Sequence, residues 1–258
     1  MAVFLRPRWI ASHVFAGTLI VSFIFAGLWQ VDRLEERRET NTAVEARLQA
    51  DAVGIADLDM SADDLEYRLV QVSGTYDPAR ELLVANRSAD GSPGFWAWTV
   101  LELDAGGEVI VNRGFVPRRE DAFSSDPTAP TTPVIVAGLV RYGLDAGAVS
   151  DDGARISRPN PTLAGEYLQL DNALPVGTYV QLRGQAPAPA AVPVPVPSPD
   201  LSEGPHLSYA FQWFTFATIG TIGYALVLWR IRRGSEAKGD VGLQDSMTPA
   251  DGSGPHAV

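Results

Sequence analysis

Few side chains in this 258-residue protein are suited to catalysis or metal binding, because it contains three histidines and no cysteine. Without cysteine the chain cannot form a disulfide, a thiolate metal site, a cysteine nucleophile or a covalent c-type haem attachment. The histidines, His13, His206 and His256, are far apart in the sequence. Any site must therefore be built around a single imidazole.

Enzymatic sites are poorly supported by this inventory. A Ser-His-Asp triad or a zinc site would need imidazoles that the central region lacks, since His206 alone lies near it. Copper delivery is disfavoured because Met1, Met60 and Met247 form no cluster. No Gly-rich phosphate-binding loop is present. The sequence therefore predicts a protein that is not an enzyme, and it favours binding or scaffolding.

The distribution of charge predicts a membrane protein. The net charge is −11, which disfavours nucleic acid as a partner. No charged residue lies between Arg8 and Asp32 or between Glu203 and Arg230, and each gap can cross a hydrocarbon core of about 30 Å. We therefore predict transmembrane helices at 9–30 and 206–229. A cleaved signal peptide is disfavoured for the first, because its apolar stretch is too long and lacks a clear cleavage site.

Basic residues next to the spans predict the orientation. They are Arg6 and Arg8 before the first span, and Arg230, Arg232, Arg233 and Lys238 after the second. The segment 32–203 holds 27 acidic and 14 basic residues and therefore carries an excess of negative charge. Both termini, 1–8 and 230–258, are expected in the cytoplasm, and the central segment is expected outside it.

The central segment predicts one domain dominated by β-strands. Residues 31–66 are expected to form a helical stalk and a connection, and 67–186 the β-rich domain. Short β-branched or aromatic runs predict strands at 69–72, 82–84, 96–101, 109–111, 134–136 and 179–182. Residues 104–107 predict a hairpin turn.

The remaining segments predict no packed structure. Prolines at alternating positions predict an extended spacer over 187–205, and the tail 230–258 is expected to be disordered. The predicted fold class is an α+β membrane protein: two transmembrane helices flank an extracytoplasmic, mostly antiparallel β domain, either a small barrel or a sheet.

Four sequence blocks carry a resemblance to a known family. The first is Leu28-Trp29-Gln30 with Arg33, and the second runs from Leu83 to Ser88 and continues through Gly91, Pro93, Gly94 and Phe95. The third covers 111–117, and the fourth covers 204–214. In this order around two spans, they resemble the signature blocks of the surfeit-locus (Shy-type) cytochrome oxidase assembly family.

The resemblance implies a bacterial plasma-membrane factor that matures haem-copper oxidase subunit I, with haem a as a transient ligand. Cytochrome c oxidase subunit I, haem a synthase and the lipid bilayer are the implied partners. A haem-free scaffold that stabilises nascent subunit I remains the alternative, and an adaptor for respiratory supercomplexes is a third possibility.

His206 is the candidate haem ligand, because it stands at the mouth of the second span and imidazole commonly binds haem iron. The other candidate haem-binding residues are Tyr209, Gln212 and Trp213 on the same helix, and Trp29, Gln30 and Arg33 at the same level of the first span. The alternative is an aromatic interfacial belt with a histidine that caps or snorkels. His13 is interpreted as an interfacial or helix-facing polar group in preference to a ligand, and His256 as part of the tail.

Two Asn-Arg steps, Asn86-Arg87 and Asn112-Arg113, each follow an apolar strand. Asn is favoured in turns, and the following Arg needs a carboxylate or a ligand. A solvated ion pair is one interpretation of Arg87 and Arg113; contact with haem propionates or a partner protein is the other. Adjacent acidic residues at 35–36, 63–64 and 151–152 are interpreted as solvated charge and not as metal ligands.

Overall fold

The structure, a computed structural model, describes residues 7–60, 65–118, 129–189 and 192–245. The chain divides into two compact units. One consists of Met1–Thr40 with Ser202–Val258, and the other is Asn41–Leu201. The α+β class is confirmed, because long apolar helices at the two ends of the chain flank a β domain.

Helix α1 (Pro7–Gln49) begins with a proline, whose missing N–H is not needed in the first turn of a helix. It continues without interruption through the predicted span 9–30 and into the charged segment that follows. A helix of this length extends about 65 Å, more than the hydrocarbon core of a bilayer. The polar C-terminal part of α1 therefore extends beyond the apolar span.

Helix α3 (His206–Asp245) begins at the predicted second span. It also includes residues 230–245, which the sequence assigned to a disordered tail, so that assignment differs from the structure there. The physical reason is the cooperativity of helix formation: adding residues to an existing helix costs little free energy, and no proline interrupts this one. Residues 246–258, including His256, lie outside the described residues.

Both helices are long and apolar enough to cross a membrane. Only 6% of the most apolar window of each helix is buried, which distinguishes them from the core helices of a soluble protein. Phe15, Phe25, Phe211 and Ile219 are among their exposed apolar side chains. This surface is suited to lipid.

The second unit is built on six strands and one short helix. They are β1 (Leu69–Ala89), β2 (Ser92–Leu103), β3 (Glu108–Pro117), β4 (Val134–Tyr142), β5 (Arg155–Ile156), α2 (Pro161–Leu168) and β6 (Thr178–Ala186). A 3-10 turn, Ile55–Asp57, precedes β1. The six predicted strand segments all fall within these strands, while the sequence did not predict β5 or α2.

Five strands close into a barrel in the order β1-β2-β3-β6-β4-β1. All pairings around the ring are antiparallel except β3 with β6, because an odd number of alternating strands cannot close without one parallel contact. That contact joins only Val111 with Val180 and Asn112 with Gln181. The mostly antiparallel β domain is confirmed, and of the two predicted forms, a small barrel or a sheet, the structure has the barrel.

Strand β1 joins two predicted strands, 69–72 and 82–84, into one. Its register with β2 shifts between Asp77 and Glu81, around Pro78, and bulges of this kind bend a strand. The first part of β1 pairs with β4 and the rest with β2. The predicted turn at 104–107 is confirmed between β2 and β3, where Gly106 and Gly107 adopt positive φ.

Two apolar clusters pack on the two faces of the barrel wall. Val70, Val109 and Val136 belong to the larger cluster in the interior. On the outer face, Trp98 packs against Tyr179 with ring centroids 4.8 Å apart, and Ile156 and Ala164 of β5 and α2 cover this side. The two clusters explain why the central strands alternate poorly in hydrophobicity, since both of their faces are buried.

The proline-rich segment packs against the barrel and does not form a free spacer. Val194 and Phe115 exchange two backbone hydrogen bonds of 2.6 and 2.9 Å. Farther along, the Gln181 side chain donates to the Pro197 carbonyl at 3.4 Å. The segment therefore supplies hydrogen bonds along the short β3–β6 contact. The sequence missed this because proline periodicity reports conformation and not packing partners.

We expect Gly114→Ala to lower the free energy of unfolding by roughly 2 kcal/mol or more. Gly114 has φ +135°, and a Cβ there would lie 2.2 Å from the Val194 carbonyl oxygen. Thermal unfolding of the detergent-solubilised full chain, followed by near-ultraviolet circular dichroism, measures the change. Gly184→Ala is the control, since a Cβ at that position meets nothing within 4 Å. Equal melting temperatures for both variants would contradict the packing of the segment on β3.

Candidate functional site

Within the first unit, α1 and α3 run antiparallel and contact each other between Arg38 and His13 of α1. The contacts begin with Arg38 against Glu203, continue through Phe23 against Trp213, and end with His13 against Tyr224. Residue numbers fall along α1 as they rise along α3. Trp29, Gln30 and Arg33 therefore share one end of the helix pair with His206, as the sequence predicted for an antiparallel pair.

The two helices pack closely at Gly27. A Cβ at this position would lie 2.7 Å from the Phe214 ring. Seven of the buried and half-buried positions of α1 follow alternating spacings of three and four residues, which is the pattern of a left-handed helix pair. They are His13, Ala16, Ile20, Phe23, Gly27, Gln30 and Leu34. This packing leaves no room for a flat ligand between the helices at Gly27.

The side chain of His206 is half-buried, and its Nδ1 lies 2.9 Å from Oε1 of Gln30. An amide oxygen only accepts hydrogen bonds, so Nδ1 carries the proton and donates it. In this tautomer the lone pair is on Nε2, which has no hydrogen-bond partner among the described side chains. The pair therefore presents an oriented imidazole with a nitrogen available for a ligand.

Gly204 leaves the Nε2 edge of this imidazole uncovered. Its φ of +68° forms the turn that precedes Pro205 and His206. A Cβ at Gly204 would lie 3.7 Å from Nε2, so a larger side chain there would crowd that edge. The backbone N–H of Tyr209 donates to the Pro205 carbonyl at 3.1 Å, which fixes the first helical turn.

The other predicted site residues lie in three different environments. Trp29 lies beneath the Arg33 guanidinium, 5.6 Å from ring centroid to Cζ, and Arg33 also bonds Glu36 at 2.5 Å. Trp213 stacks on Phe23 at 5.8 Å, inside the contact between the helices. Tyr209 and Gln212 are exposed side chains on α3. No described contact joins them to the His206–Gln30 pair.

Beyond His206, ion pairing joins the polar ends of the two helices. Arg38 donates to both carboxylate oxygens of Glu203, at 2.7 and 3.1 Å, and Arg37 donates to the Ser202 carbonyl. The hydrogen bond and charge of Arg38 lower the pKa of Glu203. Sequence reasoning missed Glu203 as a site-positioning residue. Its place as the last charge before the second apolar span was the available signal.

His13 lies at the opposite end of the helix pair from His206. Its Nδ1 hydrogen-bonds the Tyr224 hydroxyl, and the two rings meet edge-on with centroids 5.8 Å apart. The structure therefore gives His13 a polar partner inside the helix pair, in line with its interpretation as a helix-facing polar group. Its position at the other end means that it cannot share a ligand with His206.

Arg113 is held inside the barrel unit, with 5% of its surface exposed. Its Nη1 donates to Glu81 at 2.9 Å and to Thr99 at 3.4 Å, and the guanidinium lies over the Tyr76 ring. The carboxylate partner expected of Arg113 is therefore Glu81, and this ion pair is largely buried and not solvated. The neighbouring bulge in β3, between Asn112 and Gly114, turns this side chain toward β1.

Arg87, the equivalent residue of the other Asn-Arg step, lies on the outer face of the barrel. Its guanidinium stacks on Trp96 at 4.8 Å, and its Nε donates to the Ala85 carbonyl at 3.1 Å. Asn86 has φ 58°, as expected for an Asn in a left-handed turn. Within the described ranges Arg87 forms no ion pair with a carboxylate, so the two Asn-Arg steps have different environments.

The acidic pairs give no indication of a metal site. No group of three or more His, Asp or Glu side chains suited to a metal ion occurs among the described residues. Glu36 binds Arg33, and Asp152 binds Arg155. Residues 63–64 lie outside the part of the chain that the structure describes.

Comparison with known proteins places this architecture in a family. The model of the SURF1 family matches residues 18–218. This range contains Gln30, His206 and all six strands, whereas His13 and Tyr224 fall outside it.

Individual relatives agree with this match. An uncharacterized SURF1-like protein of Mycobacterium bovis is 28% identical over 262 residues, covering 92% of this chain and 90% of the relative. Surfeit locus protein 1 of Homo sapiens is 31% identical over 110 residues, covering 36% of this chain and 37% of the relative. The cytochrome oxidase assembly protein SHY1 of Saccharomyces cerevisiae is 30% identical over 128 residues, covering 46% and 32%.

We expect Glu81→Leu to lower the free energy of unfolding by roughly 3 kcal/mol, because it removes a carboxylate that compensates the buried Arg113 charge. Urea unfolding of the full chain, followed by tryptophan fluorescence, measures this. Arg155→Leu is the control: it breaks an exposed ion pair with Asp152 and should cost less than about 1 kcal/mol. Similar small losses for both variants would contradict the internal role of Arg113.

Proposed function

Since the match over residues 18–218 shows that this chain belongs to the SURF1 family, we propose that it is a membrane assembly factor for cytochrome c oxidase that holds haem a and hands it to subunit I. Haem a is the cargo in this proposal. The yeast relative named as a cytochrome oxidase assembly protein supports the assembly role. Haem a synthase is the proposed donor, and the chain itself catalyses no reaction.

The observation that carries the haem proposal is the hydrogen bond between His206 and Gln30. Histidines that bind metals usually donate their second ring N–H to an acceptor, which fixes the tautomer and the ring plane. Gln30 supplies such an acceptor for Nδ1. Nε2 would then bind the haem iron, and Gly204 leaves space on that side of the ring.

The packing of the helices indicates where the cargo would lie. Gly27 brings α1 against Phe214, so a macrocycle is better accommodated on the lipid-facing surface of the pair than between the helices. Trp29 and Tyr209 offer exposed aromatic surface there, and Gln212 an exposed amide. Arg33, whose side chain is 49% exposed, would exchange Glu36 for a propionate.

An open site of this kind suits transfer better than storage. Cofactor sites that retain their ligand bury most of its surface, whereas a surface on a helix pair leaves one face of the ligand open. Such a site would bind haem a with moderate affinity and release it sideways to a partner within the bilayer. The bacterial relative and the two apolar helices support a bacterial plasma-membrane location.

A haem-free scaffold that stabilises nascent subunit I is the second candidate. The same His206–Gln30 bond favours it as well, because polar side chains often join membrane helices without binding a ligand. In this case the exposed apolar faces of α1 and α3 would contact the subunit. The two candidates differ in whether the purified protein carries haem.

We expect the full chain, purified in detergent from cells that make haem a, to show a Soret band that His206→Ala removes. His13→Ala is the matched control, since it removes the other imidazole of the helix pair and should retain the band. The band is measured by optical spectroscopy of equal amounts of protein. Absence of the band from the unmodified protein would exclude carriage and leave the scaffold.

Two changes at Gln30 separate ligand orientation from helix packing. Gln30→Leu should weaken haem binding by about 10-fold to 100-fold, as loss of an outer partner of a metal ligand usually does. Gln30→Glu retains an acceptor for Nδ1 and should retain most of the affinity. Haem titration of the stripped protein measures both variants. Equal affinities for Gln30→Leu and the unmodified chain would contradict the proposed role of Gln30.

We expect both termini in the cytoplasm and the barrel outside it, because basic residues flank the N-terminal end of the first span and the C-terminal end of the second. Fusions of alkaline phosphatase and of a cytoplasmic fluorescent protein, made after Asp104 and after Gly239, measure this orientation. The phosphatase should be active only at Asp104. Fluorescence from the Asp104 fusion would reverse the assignment.

A further inference from the structure

Two arginines lie together on the outside of the barrel unit, at the neighbouring segments that contain Arg87 and Arg158. Strands β1 and β5 bring these segments side by side, with Val84 paired to Ile156. The Asn86 side chain then donates to the Ser157 carbonyl at 3.4 Å. Within the described ranges, neither arginine forms an ion pair with a carboxylate. We call Arg87, Arg158 and the ring of Trp96 the arginine patch.

The unit that carries the arginine patch is strongly acidic. Residues 41–201 contain 22 acidic and 11 basic residues, so carboxylates outnumber basic side chains two to one. Arg80 contacts three of them, Asp77, Glu102 and Glu108. Asp152, six residues before Arg158 in the sequence, forms an ion pair with Arg155. Two neighbouring cations without such partners repel each other, which a bound anion would relieve.

The direction of the pKa shift of Arg87 agrees with its position near Arg158. Partial burial lowers its pKa, and the nearby charge of Arg158 lowers it further, although the Tyr179 hydroxyl acts in the opposite direction. Both effects disfavour the charged form. An anion placed at the patch would stabilise that form and remove the unfavourable interaction between the arginines.

The guanidinium of Arg87 is held in a fixed orientation. It stacks on Trp96 at 4.8 Å, and its Nε donates to the Ala85 carbonyl at 3.1 Å, which leaves the Nη groups for another acceptor. Arg158 is exposed beside it. A planar, pre-oriented fork matches a carboxylate with two parallel hydrogen bonds, and little side-chain entropy remains to be lost on binding.

We propose that the arginine patch binds an acidic segment of a partner protein through its Asp or Glu side chains. Arginine and tryptophan are enriched among the residues that contribute most of the binding energy at protein interfaces. The net charge of −11 over the unit would repel an acidic partner elsewhere, so the patch would fix the orientation in which it docks. A fixed fork favours this occupant over mobile lipid headgroups. The inference concerns the barrel and does not depend on haem binding.

Fluorescence anisotropy tests the proposal with the full chain in zwitterionic nanodiscs and a dye-labelled hexa-aspartate peptide. We expect binding that weakens with added salt and is absent for the matching hexa-asparagine peptide. Arg87→Gln and Arg158→Gln should each weaken binding about tenfold. Arg87→Lys should also weaken it, because lysine keeps the charge and loses the fork.

The control is Arg155→Gln, which removes one positive charge three residues before Arg158, at an exposed arginine that already has a carboxylate. It should change the affinity less than about twofold. Equal losses of peptide affinity for all three Gln variants would show that net charge alone explains the binding, and they would overturn the proposal. Peptide binding that none of these variants weakens would also overturn the proposal. Arg87-dependent binding to phosphatidylglycerol vesicles, without binding to the peptide, would assign the patch to a membrane surface instead.

Discussion

The contact of Gly27 with Phe214 is the constraint on which the candidate site depends. Because glycine has no side chain, α1 approaches α3 closely, and the spacing of three and four residues keeps the two faces in register. That register places Gln30 opposite His206. Neither residue alone defines a site, but the hydrogen bond between them selects one tautomer and leaves Nε2 for a ligand.

In the β unit, the position of an arginine side chain depends on the partners that lie within its reach. Arg113 and Arg87 occur in similar short sequences, yet one is buried with Glu81 and the other stacks on Trp96 at the surface. Burial of the first is possible because an acceptor lies within reach, as an uncompensated charge in the interior would be costly. The second can remain without a carboxylate because solvent and an aromatic face stabilise it.

Much of the fold follows from local pattern. Apolar length predicts the two helices that can cross a membrane, and β-branched runs predict the strands, because both signals depend on neighbouring residues only. Ring closure does not follow from such patterns. It depends on the bend in β1 near Pro78 and on the hydrogen bonds of Val194 with Phe115, which join residues far apart in sequence.

The sequence by itself determined the two apolar helices, the β-rich centre, the family resemblance and the choice of His206 as the candidate ligand. These depend on composition, spacing and residue type, which are properties of the chain alone. Tertiary structure decided which side chains meet: Gln30 with His206, Tyr224 with His13, and Glu81 with Arg113. The physical reason is that a hydrogen bond or ion pair needs atoms within about 3 Å, and only the packed chain brings distant residues that close.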